Sequence, residues 1–176
     1  KDVGVALKKD QQSLEPLGLG LLIYDAYRPQ RATQAMIAWA KRTDNWELIN
    51  QGYIATRSRH NHGVAIDLTL VDLDAGTPLD MGTEWDSFST ESHTNNATGK
   101  VLENRMLLKQ KMIDQGFSNY SKEWWHFNYK IANTRSRDVP YSCFEAKETK
   151  RTPPENWEKK QYNPPQDWPQ EECIYQ

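Results

Sequence analysis

Ser58-Arg59-His60-Asn61-His62-Gly63-Val64-Ala65-Ile66-Asp67 sets two imidazoles and a carboxylate within a few residues of one another, and Glu123-Trp124-Trp125-His126 sets a further carboxylate three residues before a third imidazole. These are the side chains of a catalytic zinc centre, which commonly takes three His, Asp or Glu ligands and leaves a fourth position to water. Such a centre also needs a carboxylate outside the coordination sphere to accept a proton from that water. Two His, one Asp and one free Glu fill those roles without remainder. The plainer alternative is a buried Asp–His ion pair with no metal. Against it, three of the chain's four histidines fall inside these two motifs.

The elements that must carry these groups follow from the pattern around them. Ala65-Ile66-Asp67-Leu68-Thr69-Leu70 alternates as a half-buried strand, with Ile66, Leu68 and Leu70 on one face and Asp67 and Thr69 on the other. Asp67 then points from a strand into a cleft. His60 precedes Gly63 on the incoming turn, from which it can fold back to meet Asp67. Glu123 and His126 have opposite parity, so an ideal strand cannot aim both at one metal. A turn or bulge at Glu123, with His126 on the following strand, resolves this.

Ser-x-His-x-x-Gly-x-Ala-x-Asp followed by Glu-x-x-His resembles the zinc D-alanyl-D-alanine dipeptidases of the vancomycin-resistance type, within a wider group of zinc peptidases acting on peptidoglycan peptides. Asp25-Ala26-Tyr27-Arg28-Pro29 is similar to the family's Asp-x-Tyr-Arg-Pro element, and Met81-Gly82-Thr83-Glu84-Trp85-Asp86 to its Met-Gly-x-x-Phe-Asp element. The four motifs occur in the family's order, and the resemblance spans roughly Leu17 to Phe144. It implies one Zn²⁺ per chain held by His60, Asp67 and His126, with His62 left out, and Glu123 as the base. It further implies that Arg28 stabilises the oxyanion and that Asp86 binds the substrate's free ammonium. Asp25 suits the Arg28 guanidinium as an orienting partner, and Ser58, two residues from His60, is placed for a substrate carboxylate or carbonyl. The family carries several tens of residues before the first helix, so the resemblance implies that the N-terminal part of the family domain is missing here.

Elsewhere the chain reads as follows. Val3 to Leu14 is the end of an amphipathic helix, broken by Pro16 and Gly18, and Gly20 to Tyr24 is a buried strand. Ala32 to Lys41 is a helix whose wide apolar arc predicts packing on the sheet. Asp44 to Gly52 is polar with a short helical piece. Asp72, Asp74 and Gly76 resemble the start of a calcium loop, but the later ligand positions do not follow, so a hairpin between Leu70 and Leu79 is the better reading. Val101 to Ile113 is a helix with Val101, Arg105, Leu108 and Met112 on one stripe, stopped by Gly116 in a left-handed cap. Trp124, Trp125 and Phe127 are assigned to core and cleft wall, and His93 has no role that spacing supplies.

The fold class is therefore α+β: a small, mainly antiparallel sheet with helices packed on one side and the zinc in the sheet cleft. Domain organisation is 1–148 for the dipeptidase domain and 149–176 for an extended tail. Five of the nine prolines fall within residues 145–176, and such composition resists a packed core. Trp157, Tyr162 and Trp168 make that tail a contact for the domain or a protein partner. Cys143 and Cys173 have no Cys-x-x-Cys spacing, so they are not zinc ligands; they either pair or stay free.

At 20.5 kDa, with 37% hydrophobic residues and mean hydropathy −0.88, the chain is one polar domain able to bury a core. No apolar run reaches the ~20 residues of a membrane helix. A net charge of −2 argues against nucleic acid as a partner. The partner predicted is a small dipeptide, D-alanyl-D-alanine. The alternatives are a carboxypeptidase or endopeptidase on longer peptidoglycan peptides, or a non-catalytic zinc-stabilised binding module, which would have no use for a free Glu123. Oligomeric state and compartment, bacterial cytoplasm or periplasm, are left open by the residues.

Overall fold

A computed structural model of the chain describes residues 1–139 and residue 141. Both cysteines, Cys143 and Cys173, and the tail assigned to 149–176 lie outside the described residues. The architecture that follows belongs to the compact unit Lys1–Asp138.

Among the described residues, four α-helices and four strands follow one another along the chain: α1 (Asp2–Leu14), β1 (Leu19–Asp25), α2 (Gln30–Arg42), α3 (Trp46–Asn50), β2 (Ala65–Asp72), α4 (Gly99–Asp114), β3 (Phe117–Asn119) and β4 (His126–Tyr129). The strands form one sheet in the order β1-β2-β4-β3, and every pairing is antiparallel. The α+β class and the antiparallel sheet predicted from the sequence are both present.

Parity decides which side of the sheet is core. Ile66, Leu68 and Leu70 of β2 pack with Phe127 of β4, Phe117 of β3, Leu108 and Met112 of α4, and Ala6 and Leu14 of α1. Trp124 and Trp125 are fully buried in the same cluster, so both act as core. Helices α1 and α4 thus cover one face. The α4 stripe is buried at Arg105, Leu108 and Met112, and the helix ends just before Gly116 at φ +89.

Three expectations are corrected. Strand β1 is not buried: only Gly20 is, and Ile23 is 49% exposed, because β1 is an edge strand of the sheet. Strand β2 is not half-buried: Ala65 to Leu70 are all buried, because the second face is closed over by the segments that build the cleft. Helix α2 does not lay its apolar arc on the core. None of its residues joins the core cluster, Trp39 is 42% exposed, and α2 packs with α3. Only Thr33 and Ala40 of the helix are buried.

The turn after β2 is the hairpin read from the sequence. Asp72 N–H donates to Thr77 O at 2.9 Å, Leu79 N–H to Leu70 O at 2.9 Å, and Val71 bridges Pro78. The Asp72 carboxylate accepts from the Asp74 and Ala75 N–H groups, so it closes the turn rather than facing a cation.

Candidate active site

The site grows from a short turn. Residues Arg59–His62 form a single 3-10 turn. The Ser58 hydroxyl caps it by accepting the His60 N–H at 3.2 Å, and Gly63, at φ +65, ends it in the left-handed conformation that glycine adopts without strain. This is the physical content of the Ser-x-His-x-x-Gly spacing: one residue starts the turn, one stops it, and the chain reverses into β2 with His60 facing back over Asp67.

Strand order supplies the rest. Asp67 lies directly opposite His126 in the β2–β4 ladder, so both side chains rise from the same face, opposite to the core residues Ile66 and Phe127. Glu123 sits in the turn that precedes β4, where Glu123 N–H donates to Tyr120 O and His126 N–H to Glu123 O. The turn predicted between Glu123 and His126 is there.

His60, Asp67 and His126 each offer one ligand atom, and these atoms lie within 4.8 Å of one another. His60 Nε2 is 3.3 Å from Asp67 Oδ1 and 3.2 Å from His126 Nδ1, and His126 Nδ1 is 3.0 Å from Asp67 Oδ1. The outward nitrogens are committed elsewhere. His60 Nδ1 is 2.7 Å from Ala26 O, a carbonyl that can only accept, so this nitrogen carries the proton. His126 Nε2 is 3.3 Å from Asn128 Oδ1. Both rings therefore turn a lone pair inward toward a carboxylate, an arrangement that is repulsive without a positive charge at its centre. A divalent cation bound by two imidazole nitrogens and one carboxylate oxygen fits this donor set, and the outward acceptors are the partners that metal-bound histidines ordinarily use.

The titration behaviour follows the same geometry. Burial works against the Asp67 carboxylate, yet hydrogen bonds from His126 and His60 hold it well below the ordinary carboxylate range. Burial likewise lowers His60, but the hydrogen bond and the charge of Asp67 together outweigh that and raise it above the usual imidazole value. A metal and protons therefore compete for the inward-facing nitrogens. Glu123 is 7% exposed, and its Oε2 lies 3.8 Å from His126 Nδ1, outside the three-ligand cluster. Burial pushes its carboxyl up to about 8 against the opposing pull of His126, with Asp67 and Asp86 adding to the rise.

Arg28 follows a bulge in β1 between Ile23 and Asp25 that re-aims the strand end at the cleft. Its Nε and Nη2 donate to Asp25 Oδ2 at 2.9 and 2.5 Å. Burial would lower Arg28, but the Asp25 carboxylate dominates and its pKa is raised further, so the cation is permanent. Asn61 fastens this segment to the histidine turn, donating to Arg28 O at 2.9 Å and Thr33 Oγ1 at 2.9 Å.

Arg28, Ser58, Asp86 and Glu123 line the same cleft as the three candidate ligands, in a cavity of about 260 Å³. Asp86 has a positive φ of +58, a conformation uncommon for a residue with a Cβ. Burial, reinforced by the charge of Asp67, pushes its carboxyl up to about 6. Every site residue selected from the sequence thus meets at one place or, for Asp25, directly supports a residue that does. His62 stands apart, 3.1 Å from Thr134 Oγ1 through Nδ1. His93 gains a partner in Tyr53, whose hydroxyl is 3.0 Å from its Nε2.

Sequence reasoning passed over Asn128, Asn61 and the indole of Trp85, whose Nε1 donates to Asp67 Oδ2 at 3.4 Å. Asn128 was accessible in principle, since it lies two residues from His126 and so shares its face of β4. Asn61 and Trp85 act across long sequence separations and left no local signal.

A sheet-borne His/Asp/His centre with a free buried carboxylate and a fixed guanidinium around one cleft is the centre of a metallopeptidase. The model of the D-ala-D-ala dipeptidase family matches residues 1–147, and the chain belongs to that family. Among its relatives, the D-alanyl-D-alanine dipeptidase of Enterococcus faecium is 35% identical, over 80% of this chain and 73% of the relative. That of Escherichia coli K12 is 39% identical over 82% and 73%, and that of Streptomyces coelicolor 34% identical over 74% and 72%.

Proposed function

We propose that the chain is a zinc dipeptidase that hydrolyses D-alanyl-D-alanine to two molecules of D-alanine. The observation that carries this reading is the convergence of three inward-facing ligand atoms with one buried, non-ligating carboxylate, Glu123. His60 Nε2, His126 Nδ1 and an Asp67 oxygen would hold Zn²⁺, which when bound supplies a water acidified toward ~7 and a Lewis acid for the scissile carbonyl.

The chain's own residues do the remainder. Glu123 takes the proton released as water adds to the carbonyl carbon and returns it to the departing amine nitrogen, so the C–N bond breaks with protons balanced. Arg28, held by Asp25, faces the oxyanion, a donor whose loss typically costs about 10²–10³ in rate. Asp86 takes the substrate ammonium, and the proximity of carboxylate to ammonium would draw it fully into its ionised form. The Ser58 hydroxyl, buried at the cleft with its oxygen already accepting from His60 N–H, has its proton to give to the substrate carboxylate. The cavity of about 260 Å³ lies below the ~300–1,000 Å³ usual for drug-sized ligands, which favours a dipeptide over a longer peptide.

The test is elemental analysis of the purified protein followed by kinetics on D,D-dipeptides, L,L-dipeptides and muropeptides. One zinc per chain and a kcat/KM for D-alanyl-D-alanine above every longer peptide are expected. A protein that cleaves muropeptides but leaves the dipeptide intact would overturn the substrate assignment.

A further inference from the structure

Arg105 is the one residue of the α4 stripe that chemistry would not choose for a core. It is 1% exposed and makes no ion pair among the described residues. Its fork instead ends on backbone carbonyls: Nε donates to Met81 O at 2.8 Å, and Nη1 to His93 O at 2.9 Å and Asn96 O at 3.5 Å. Those acceptors are the two ends of one excursion of the chain. The preceding residue, Asn104, donates to Asp80 O at 2.9 Å, so consecutive positions of α4 grip the entry of the loop and Arg105 alone also grips its exit. The entry runs close: a Cβ at Gly82 would lie 2.7 Å from Val101 Cγ1 and 3.3 Å from Arg105 Nη2.

Between those ends lie the residues that the cleft uses. Trp85 stacks on Tyr24 with ring centroids 5.3 Å apart and donates to Asp67. Asp86 follows at φ +58, in the left-handed region that Asp enters more readily than most residues with a Cβ. A second tie crosses the same neck, Thr83 Oγ1 to Ser92 Oγ at 3.0 Å.

We infer that Arg105 is a positioning residue for the ammonium subsite: by joining the two ends of the segment from Asp80 to Asn96, it holds Asp86 at the cleft and so sets the enzyme's demand for a free amino terminus. This rests on the reading of Asp86 as the ammonium partner. Arg suits the task because its planar fork reaches several carbonyls at once, whereas a Lys ammonium is a single point on a flexible stem. An apolar residue would leave Met81 O without its donor in a buried place and would strip His93 O of its side-chain donor, leaving it only the Asn96 N–H.

The experiment compares kcat and KM for D-alanyl-D-alanine and for N-acetyl-D-alanyl-D-alanine in the full chain loaded with zinc. Arg105→Lys, Asn104→Ala and, as the limiting case, Asp86→Ala are the variants. Arg105→Lys should raise KM for the free dipeptide about tenfold with kcat within about threefold, and lower the preference for the free amino terminus about tenfold, as a small misplacement of a binding group does. Zinc content should not change. Asn104→Ala, which keeps the charge and loses only the bond to Asp80, should move the same ratio in the same direction by less, and it decides the matter if Arg105→Lys fails to fold. Variants that lose thermal stability while the preference ratio stays at the parent value would reduce Arg105 to a structural role and overturn the inference. A parent that cleaves both substrates equally well would overturn the Asp86 assignment itself, and this inference with it. A parent that discriminates while Asp86→Ala does not, with unaltered ratios in the two α4 variants, leaves the function standing and removes Arg105 alone.

Discussion

Glu123 separates base chemistry from metal binding, and its burial makes that separation measurable without substrate. A carboxyl whose value in the folded protein lies above its unfolded value contributes stability that is fully present below the unfolded value and is lost as pH rises toward the folded one. For Glu123 the window runs from 4.5 to about 8. Each pH unit inside it removes about 1.4 kcal/mol, so by pH 7 the metal-free protein has lost about 3 kcal/mol through this one group. Glu123→Gln does not titrate and carries no such penalty. Metal-free Glu123→Gln should therefore gain about 3 kcal/mol on the metal-free parent between pH 4 and pH 7, roughly 10 °C in Tm for a domain of this size. With zinc bound the gain should shrink, because the cation stabilises the adjacent carboxylate. The same variant should bind zinc as the parent does and hydrolyse D-alanyl-D-alanine at least about a hundredfold more slowly. Thermal unfolding in chelator across the pH series, with zinc content and kcat on the same preparations, makes the comparison. A Tm difference that does not change from pH 4 to pH 7 would refute the burial argument, and full activity in Glu123→Gln would refute the base.

Two further outcomes are expected. His60→Ala, Asp67→Ala and His126→Ala should each lose zinc by elemental analysis while His62→Ala keeps it, since His62 is engaged with Thr134; full occupancy in His60→Ala would break the ligand assignment. Deleting residues 149–176 should leave zinc content and dipeptide kcat/KM nearly unchanged, because the site residues named above lie between Asp25 and Asn128; a tenfold fall would make the tail part of the pocket.

The amino-acid sequence by itself determined the pieces that depend on near neighbours. Ser58 and Gly63 define a turn because one side chain caps it and one backbone adopts the left-handed region, and neither needs a distant partner. The alternation from Ala65 to Leu70 put Asp67 on the face opposite Ile66 and Leu68, and the unequal parity of Glu123 and His126 required the turn that precedes β4. The order β1-β2-β4-β3 is not of that kind. It brings His126 opposite Asp67 through packing of Phe127, Phe117 and Trp125 against α4 and β2, contacts between segments far apart in the chain. The same holds for the acceptors that set the imidazole tautomers, for the closure of the second face of β2, and for the displacement of α2 from the core. Arg105 shows the limit most sharply: periodicity placed it on the buried stripe of α4, but the carbonyls that make a buried guanidinium tolerable belong to Met81 and His93. Backbone acceptors are the same in every residue, so only the tertiary structure decides which of them a buried donor will meet.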